Sequence, residues 1–280
     1  MKRIAVTGSS GYLGQKLCSK IEDTGGEVVR LSRNVNDNEI HFELGQAIPS
    51  SALEGVDFLI HAAHDFKTKG DRCVEKNYEG SLPLLTTCRE LQIPVTLVST
   101  TSAFEGVDTG YGRAKLCLES HVIGNGGRVC RAGLIMSATG GGIFEKLLLQ
   151  LRSLPVVPVV GPNARFYVSD EETLLDDLLL EPSNHQSGEV FLGASREPET
   201  MKSIVLSLLE TLEIRKRSFG IDPSIVYYLS KIAETIKVPF PFRSESVRYL
   251  MRQISTEEIE GLSTSTLQYP NLHTLMLQLR

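Results

Sequence analysis

The sequence of 280 residues has no tryptophan, few aromatic residues and only five cysteines. The cysteines are scattered, odd in number and without CxxC spacing: Cys18, Cys73, Cys88, Cys117 and Cys130. This pattern argues against a disulfide scaffold or a zinc ribbon and favours a reducing compartment. No run of 18 apolar residues occurs, and the first strand-like run follows the initial methionine without an apolar leader. We therefore expect a cytoplasmic protein with no membrane partner.

An excess of positive charge is also absent. The formal net charge is −5 and the sequence pI is about 5.8, so we expect no nucleic-acid partner. The six histidines show no ligand spacing with acids or with cysteines, and no metal site is predicted. A chain of this length buries roughly 70 to 75% of its unfolded surface, which is enough for a large core without covalent cross-links.

Short apolar runs alternate with helical patterns through the first half of the chain. The strand-like runs are 4–7, 28–31, 58–62, 95–99 and 128–131, and the helical patterns are 12–24, 70–91 and 110–123. This alternation predicts an α/β fold, a Rossmann-type doubly wound parallel sheet with helices on both faces and right-handed crossovers.

After Gly140 the rhythm changes, and turns enter apolar sequence. Further elements are predicted at 143–151, 170–180, 189–192, 199–212, 223–236 and 244–253. We predict an NAD(P)-binding Rossmann-type domain over 1–160 and a smaller substrate-binding lobe over 161–280, partly interwoven with it.

An apolar stripe and a segment without a pattern follow in the second half. Ile225, Leu229, Ile232 and Ile236 recur at helical spacing, which predicts a core-facing side, with a membrane or partner surface as the alternative. Residues 263–272 lack a pattern and are expected to form a loosely docked arm.

The opening MKRIAVTGSSGYLG places Gly8, Gly11 and Gly14 between a strand and a helix. Glycines allow a tight turn in which backbone N–H groups approach a pyrophosphate, and the helix N-terminus favours negative charge. The spacing is GxxGxxG rather than GxGxxG, so a plain strand-to-helix turn is the alternative. We predict a dinucleotide site, with the amides of Tyr12 and Leu13 at the helix start.

The end of the second strand, VVRLSRN, indicates which dinucleotide binds. An acid commonly stands there to bond the ribose 2′-hydroxyl of NAD, whereas NADP needs a cation. Here Ser32 occupies the position of the acid and Arg33 follows it. Because a hydroxyl and a guanidinium both donate to phosphate, we predict NADP, with NAD as the alternative.

A pair of chemically active residues lies in YGRAKLCLES. Tyr111 and Lys115 are four residues apart, so both project from one face of a helix. A free tyrosine titrates near 10, and a neighbouring ammonium favours the phenolate. The preceding strand, VTLVSTTSAF, ends in hydroxyls that could orient a substrate oxygen and bond a developing alkoxide. This grouping suits hydride transfer coupled to proton transfer on an alcohol or ketone.

Six segments in order resemble the extended short-chain dehydrogenase/reductases of the NAD(P)-dependent epimerase/dehydratase family. They are TGSSGYLG, VDFLIHAAH, NYEGSLPLL, VTLVSTTSAF, YGRAKLCLE and, less closely, FYVSDEE, and they span residues 4 to about 180. The resemblance implies that Tyr111 is the acid/base and that Lys115 also bonds the nicotinamide ribose. It implies that Thr101 is the catalytic hydroxyl, with Ser102 the alternative if the alignment shifts by one.

The same resemblance implies the remaining cofactor contacts. Glu43 and Leu44 stand beside the adenine, Ala62 and Ala63 line the cofactor at a strand end, and Asn77 lies on the helix flanking the active site. His61 is expected to be a packed residue, and Glu119 a structural one. Members of this family often pair helices corresponding to 70–91 and 110–123, which implies a homodimer.

Departures from the family pattern limit what carries over. Ten residues separate Thr101 from Tyr111, fewer than is usual, so the site should be more open or walled by another segment such as 64–72. For His64, Asp65 and Lys67 a solvated loop is nevertheless the favoured expectation, with a position facing the pocket as the alternative. Leu134 replaces an asparagine of nucleotide-sugar enzymes. Their diphosphate-binding arginine falls near Asn163, which leaves Arg131 and Arg165 as candidates for a substrate anion, with surface or structural positions as the alternative.

These features predict an NAD(P)-dependent oxidoreductase or epimerase. It would act on a secondary alcohol or ketone of a small polar molecule, such as a sugar or nucleotide-sugar derivative. The alternative is a non-catalytic NADP(H)-binding sensor or assembly subunit, since fold does not fix function. A sugar-nucleotide dehydratase is less favoured, because Ser102 rather than an acid follows Thr101.

Overall fold

The computed structural model describes residues 1–33, 39–137, 141–182, 188–239, 244–251 and 253–279. The strands are β1 (Arg3–Thr7), β2 (Glu27–Ser32), β3 (Glu39–His41), β4 (Phe58–His61), β5 (Val95–Thr100), β6 (Arg128–Ala132), β7 (Leu134–Met136), β8 (Val157–Val160), β9 (Arg165–Phe166), β10 (Val168–Asp170), β11 (Val190–Gly193), β12 (Glu199–Thr200), β13 (Ser218–Ile221) and β14 (Ser263–Thr264). The helices are α1 (Tyr12–Asp23), α2 (Asp71–Asn77), α3 (Leu82–Glu90), α4 (Gly110–Gly124), α5 (Gly142–Ser153), α6 (Glu171–Leu178), α7 (Met201–Thr211), α8 (Pro223–Ile236), α9 (Ser244–Met251), α10 (Thr256–Glu260) and α11 (Leu272–Gln278).

An eight-stranded parallel sheet organises the fold. Its strand order is β14-β11-β6-β5-β4-β1-β2-β3. The order reverses at β1, and this is where open α/β sheets bind ligands at the carboxyl ends of their strands. The predicted Rossmann-type doubly wound parallel sheet is therefore confirmed, and the predicted strands at 4–7, 28–31, 58–62, 95–99 and 128–131 correspond to β1, β2, β4, β5 and β6.

The chain divides into two compact units. Unit 1 comprises residues 1–132, 173–193 and 260–267, and unit 2 comprises residues 133–172, 194–259 and 268–280. The chain thus passes from one unit to the other several times. The assignment of cofactor binding to 1–160 and of substrate binding to 161–280 stays a prediction.

Unit 1 contains the large sheet and its flanking helices. All four residues of β4 are buried, as expected for a parallel strand covered on both faces. Its core cluster includes Ala5, Leu31, Leu59 and Leu97 from four of the strands. Packing around a sheet covered on both faces fixes the carboxyl ends of β1, β4 and β5 side by side, in the register Thr7 to His61 and His61 to Leu97.

Unit 2 contains three two-stranded pairings and a separate core. Strand β7 pairs with β10 and β8 pairs with β13, both parallel, whereas β9 pairs antiparallel with β12. The core cluster is built around Phe144 of α5, Val168 of β10 and Leu208 of α7. Leu275 of α11 joins the same cluster, so the end of the chain is packed rather than free.

The helical pattern at 70–91 is broken into two helices. A short 3₁₀ turn at Glu79–Ser81 separates α2 from α3. A side chain at Gly80 would lie 3.1 Å from the backbone nitrogen of Gly45, so a larger residue would require these segments to shift slightly. Pro83 lies in the first turn of α3, where a missing N–H is tolerated.

Two other expectations were wrong. Residues 263–272 are not a loosely docked arm, because Ser263 and Thr264 form β14 beside β11. The stripe of Ile225, Leu229, Ile232 and Ile236 does not face a core, because each of these side chains is about half exposed or more. Within the described part of the chain, no helix is long and apolar enough to cross a membrane.

Candidate active site

The glycine turn after β1 is closely packed. Gly8 has a φ of +67°, and a side chain there would lie 3.0 Å from Cα of Ala63. A side chain at Gly14 would lie 2.1 Å from the carbonyl oxygen of Gly8, so only glycine fits. The amide of Gly11 donates to the same carbonyl at 2.8 Å. These contacts fold the turn back over the ends of β1 and β4, as the sequence predicts.

The N-terminus of α1 retains donors for an anion. Gly11 is the N-cap residue and no side chain caps the helix, which leaves the first-turn amides, those of Tyr12 and Leu13 among them, without a side-chain acceptor. The Ser9 hydroxyl is buried and has no hydrogen-bond partner among the described residues. A buried donor beside an uncapped helix N-terminus fits a pyrophosphate, so the residues present suit the predicted dinucleotide.

His61 connects β1, β4 and the turn before α3. Ser81 donates its hydroxyl proton to the carbonyl of Asn77 at 2.6 Å, so it accepts from Nε2 of His61 at 2.9 Å. Nδ1 of His61 then accepts from the hydroxyl of Thr7 at 2.9 Å. Burial, and secondarily the charge of Lys115, lowers the pKa of His61 to about 3. The ring is a neutral packing residue, as expected.

The same Thr7 hydroxyl positions the residues after β4. The amides of Ala62 and Ala63 both donate to Thr7 Oγ1, each at 3.1 Å. Ala63 is also the residue that Gly8 approaches most closely. The strand end predicted to line the cofactor is therefore fixed directly beside the glycine turn.

The end of β2 presents a buried hydroxyl residue and an exposed cation. Ser32 is buried, and Arg33, the next residue, is exposed. No acid stands at either position. Glu43 and Leu44, predicted beside the adenine, lie close to α2, because Lys76 Nζ lies 3.3 Å from Glu43 Oε1 and donates to the Leu44 carbonyl at 2.9 Å.

Asn77 fixes the loop that follows β4. Its Oδ1 accepts from the amide of Asp65 at 2.6 Å, and its Nδ2 donates to the carbonyls of Cys73 and Asp65 at 2.9 and 3.2 Å. The side chain is buried, with its acceptor and both donors engaged within the protein. Asn77 therefore acts on the predicted site through the position of residues 64–66.

Thr101 lies immediately beyond β5. It is buried, and its amide donates to the carbonyl of Ala132 at 2.9 Å. Thr100 Oγ1 accepts from the amide of Ser102 at 3.1 Å, which turns the chain away from the sheet. Thr101 and Ser102 both remain at the strand end, so the structure keeps the two alternatives open.

The short connection from Thr101 to α4 is held in place by a close backbone contact at Gly112. A side chain at Gly112 would lie 2.5 Å from the carbonyl oxygen of Ser102. Thr109 caps α4 by accepting from the amide of Gly112 at 3.1 Å. These contacts set the start of α4, and with it Tyr111, next to the end of β5.

Two side chains of the loop after β4 cover the Tyr111 ring. The ring of His64 lies edge-on against it with centroids 4.8 Å apart, and the ring of Phe66 stacks on it at 5.8 Å. Nδ1 of His64 is buried without a hydrogen-bond partner among the described residues. Burial, then the charges of Lys115 and His61, lowers the pKa of His64 to about 2. The expectation that His64 lies in a solvated loop was therefore wrong.

The contact of the 64–66 loop with Tyr111 was the part of the site that sequence reasoning identified least well. The short Thr101 to Tyr111 interval did suggest that segment 64–72 could wall the site. No periodicity marks His64 or Phe66 as a contact of Tyr111, because their placement depends on the buried Asn77. A loop pinned by one amide side chain leaves no pattern in the sequence.

Lys115 is buried one helical turn after Tyr111. Its Nζ donates to the carbonyl of Val98 in β5 at 2.6 Å. Burial lowers the pKa of Lys115 to about 8, opposed by the attraction of Glu119. At neutral pH the side chain is therefore mostly an ammonium within a poorly solvated part of unit 1.

Glu119 and Arg131 form a buried ion pair beneath the site. The Arg131 guanidinium donates to both carboxylate oxygens, from Nε to Oε1 at 3.1 Å and from Nη2 to Oε2 at 2.8 Å, and the Ser99 hydroxyl donates to Oε1. Arg131 is therefore structural and not a free substrate-binding cation. Arg165 is exposed in unit 2, where its backbone pairs with the side chain of Gln253. Leu134 lies half-buried in β7.

Comparisons with known proteins agree with the fold. Residues 4–123 match the family model described as "NAD dependent epimerase/dehydratase family". No match was found among curated proteins. Similar solved structures include MoeE5 in complex with UDP-glucuronic acid and NAD, with a TM-score of 0.67 and 17% identity over 79% of this chain and 85% of that one.

Two further solved structures have the same fold. A UDP-glucose 4-epimerase from Thermotoga maritima with UDP-glucose has a TM-score of 0.63 and 19% identity over 79% of this chain and 85% of that one. DesIV, a dTDP-glucose 4,6-dehydratase from Streptomyces venezuelae with NAD and TYD bound, has a TM-score of 0.64 and 17% identity over 79% and 84%. Residues 4–123 are thus similar to the NAD dependent epimerase/dehydratase family, and the solved structures share the fold of this chain.

Proposed function

We propose that this protein is an NADP-dependent oxidoreductase or epimerase that acts on a secondary alcohol or ketone of a small polar molecule. The observation that carries the proposal is the buried Lys115 ammonium one turn from Tyr111, beside the ends of β4 and β5. Burying an ammonium is costly, so a fold that keeps one a helical turn from a tyrosine has a use for the charge.

The glycine turn and the end of β2 would hold the cofactor. The uncapped start of α1 and the Ser9 hydroxyl suit the pyrophosphate. Ser32 and the exposed Arg33 favour NADP over NAD, because no acid is present to bond a ribose 2′-hydroxyl and a guanidinium matches phosphate geometry. When bound, the nicotinamide supplies the hydride chemistry.

Tyr111 is the proposed acid/base. The Lys115 ammonium favours the ionised phenol, so Tyr111 takes a proton from a substrate hydroxyl in one direction and returns it to a carbonyl oxygen in the other. The hydroxyl at Thr101, or at Ser102, donates to the same oxygen as its negative charge develops. His64 is neutral and cannot compete with Lys115 as a cation.

Sugar and nucleotide-sugar derivatives are the proposed substrate class. Support comes from the ligands bound in similar structures, which are UDP-glucuronic acid and UDP-glucose. A cytoplasmic location and a homodimer through the helices in 70–91 and 110–123 stay predictions alongside this proposal.

A non-catalytic NADP(H) sensor or assembly subunit is the second candidate. The observation that favours it is the contact of His64 and Phe66 with the Tyr111 ring, because these side chains restrict access to the phenol. A sensor, however, has no need of a buried ammonium next to that phenol.

One experiment separates the two candidates. Purified protein is titrated with NADPH and NADP, and a panel of ketones, aldehydes and nucleotide sugars is followed at 340 nm or, for epimerisation, by product analysis. We expect Tyr111→Phe to bind NADPH within a few fold of the wild type and to lose at least about 100-fold in turnover. Tyr78→Phe is the matched control. Tight NADPH binding with no conversion of any substrate would favour the sensor.

A further inference from the structure

The outward face of α8 carries large apolar side chains. Ile225, Tyr228, Leu229, Ile232 and Ile236 are between 48% and 65% exposed. Their spacing of three and four residues aligns them in one stripe that extends about 16 Å along the helix. Val238, just beyond the helix, is also 53% exposed.

The inward face of the same helix is built from smaller side chains. Val226, Ser230 and Ala233 are its buried residues, and the Ser230 hydroxyl donates to the Val226 carbonyl at 2.7 Å. A helix on a water-exposed surface normally has the opposite arrangement, with its largest apolar residues inside. A contiguous apolar stripe of this kind marks an interaction surface.

The charge around α8 differs from that of the rest of the chain. Residues 213–252 contain eight lysines and arginines against four acids, a net charge of +4 within a chain of net charge −5. Lys231 and Lys237 are exposed on α8 and at its end. The exposed Arg248 of α9 lies 5.9 Å from the Tyr227 ring, whose other neighbour is the Lys231 ammonium at 6.0 Å.

The acids of α8 are held in local hydrogen bonds. Glu234 accepts from the amide and the hydroxyl of Ser244, at 3.3 and 2.9 Å. Asp222 is the N-cap residue and accepts from the amide of Ser224 at 2.8 Å. Among the described residues on and beside α8, the cations Lys231, Lys237 and Arg248 outnumber the acids Asp222 and Glu234.

We propose that α8 docks on a membrane surface that carries anionic lipids. Its apolar stripe would enter the interface between headgroups and acyl chains, with Tyr228 at headgroup level and Lys231 and Lys237 on lipid phosphates. Because a second copy of this chain would present the same cations, charge favours an anionic surface over self-association. The proposal goes beyond the proposed function and does not depend on it. It replaces the sequence-based expectation of no membrane partner.

Vesicle co-sedimentation tests the proposal with the full-length protein. Vesicles of phosphatidylcholine alone are compared with vesicles that contain one quarter phosphatidylglycerol. We expect the wild type to bind the anionic vesicles at least about tenfold more strongly, and 0.5 M NaCl to weaken that binding. We expect Ile232→Ser/Ile236→Ser and, separately, Lys231→Glu/Lys237→Glu each to lower the partition coefficient at least about tenfold.

The controls are exposed leucines on other helices of unit 2. Leu206→Ser in α7 and Leu277→Ser in α11 should leave vesicle binding within twofold. Circular dichroism and urea denaturation confirm that each variant is folded. Equal binding by the wild type and the α8 variants would overturn the proposal. A wild-type dimer that ignores vesicles and dissociates in Ile232→Ser/Ile236→Ser, measured by light scattering, would also overturn it and assign the stripe to a second copy.

Discussion

The imidazole ring of His64 lies edge-on against the phenol ring of Tyr111, with 4.8 Å between the ring centroids. Asn77 holds this arrangement by binding the backbone of Asp65, the next residue in the loop. A buried side chain of α2 thus fixes a loop that covers the proposed acid/base. The loop after β4 thus covers part of the Tyr111 ring, beside which the connection from Thr101 is short.

This arrangement predicts a specific effect of removing Phe66. The side chain is 66% exposed and stacks on Tyr111, so Phe66→Ala should leave stability nearly unchanged. Losing the stacking surface should raise the KM of the substrate about 2- to 10-fold, with kcat within about threefold. Steady-state kinetics on the substrate found in the screen measure both constants.

The control for Phe66 is Phe219, which is 51% exposed on β13 of the other unit. Phe219→Ala should change neither constant. An unchanged KM in Phe66→Ala would show that the loop contact with Tyr111 has no part in substrate binding.

The exposed Arg33 predicts the cofactor preference. Arg33→Ser removes the cation proposed to bind the 2′-phosphate, so the Kd for NADPH should rise about 10- to 100-fold while the Kd for NADH changes less than threefold. Fluorescence titration of the reduced cofactors measures both. Arg89→Ser, an exposed arginine at the end of α3, is the matched control. Equal losses for the two cofactors would contradict a 2′-phosphate contact.

A buried ion pair predicts the stability of unit 1. Arg128 and Asp177 are almost fully buried, with Nη2 2.8 Å from Oδ1, and the guanidinium lies 3.7 Å from the Phe191 ring centroid. Arg128→Met should lower the free energy of unfolding by about 3–5 kcal/mol, because it leaves the Asp177 carboxylate buried without its partner. Urea denaturation measures the loss.

The double variant Arg128→Met/Asp177→Leu provides the control for that pair. It should lose less stability than the sum of its two single variants, because neither charge is then left alone. A loss of less than about 1 kcal/mol in Arg128→Met would show that solvent reaches the Asp177 carboxylate and replaces its partner.

The strands of the large sheet could be predicted because each is a short apolar run between turns. β14 could not, since its two residues, Ser263 and Thr264, are polar and exposed, and only their pairing with β11 makes them a strand. Helical periodicity correctly placed α8, but periodicity identifies a face of a helix and not what covers it. The stripe from Ile225 to Ile236 was therefore expected to face a core, whereas its side chains are exposed.

The proposed site shows the same limit. Local sequence was sufficient for the glycine turn, because the close approach of Gly14 to Gly8 lies within seven residues. It was not sufficient for Arg131, which the fold pairs with Glu119, or for His64, which the fold places on Tyr111. In these cases the partner is determined by packing between elements that are distant in the chain.

The buried ammonium of Lys115 predicts how stability depends on pH. Its pKa in the folded protein is about 8, below its ordinary value of 10.5, so between these values the unfolded chain binds more protons than the folded one. Stability should therefore rise with pH across this window, by up to about 3 kcal/mol from this group. Lys115→Met should remove that rise. The free energy of unfolding of the variant, minus that of the wild type, should therefore be larger at pH 7 than at pH 10.

Urea denaturation of both proteins at pH 7, 8.5 and 10 measures this difference, and comparing the two proteins cancels the titration of other groups. The same variant should lose turnover, because the charge that favours the Tyr111 phenolate is gone. If the stability difference between the two proteins is the same at every pH, Lys115 does not titrate in this window, and burial does not destabilise its ammonium form. If Lys115→Met is more stable than the wild type at neutral pH and also loses turnover, Lys115 is a residue retained for chemistry. A purely structural lysine would instead stabilise the fold at neutral pH.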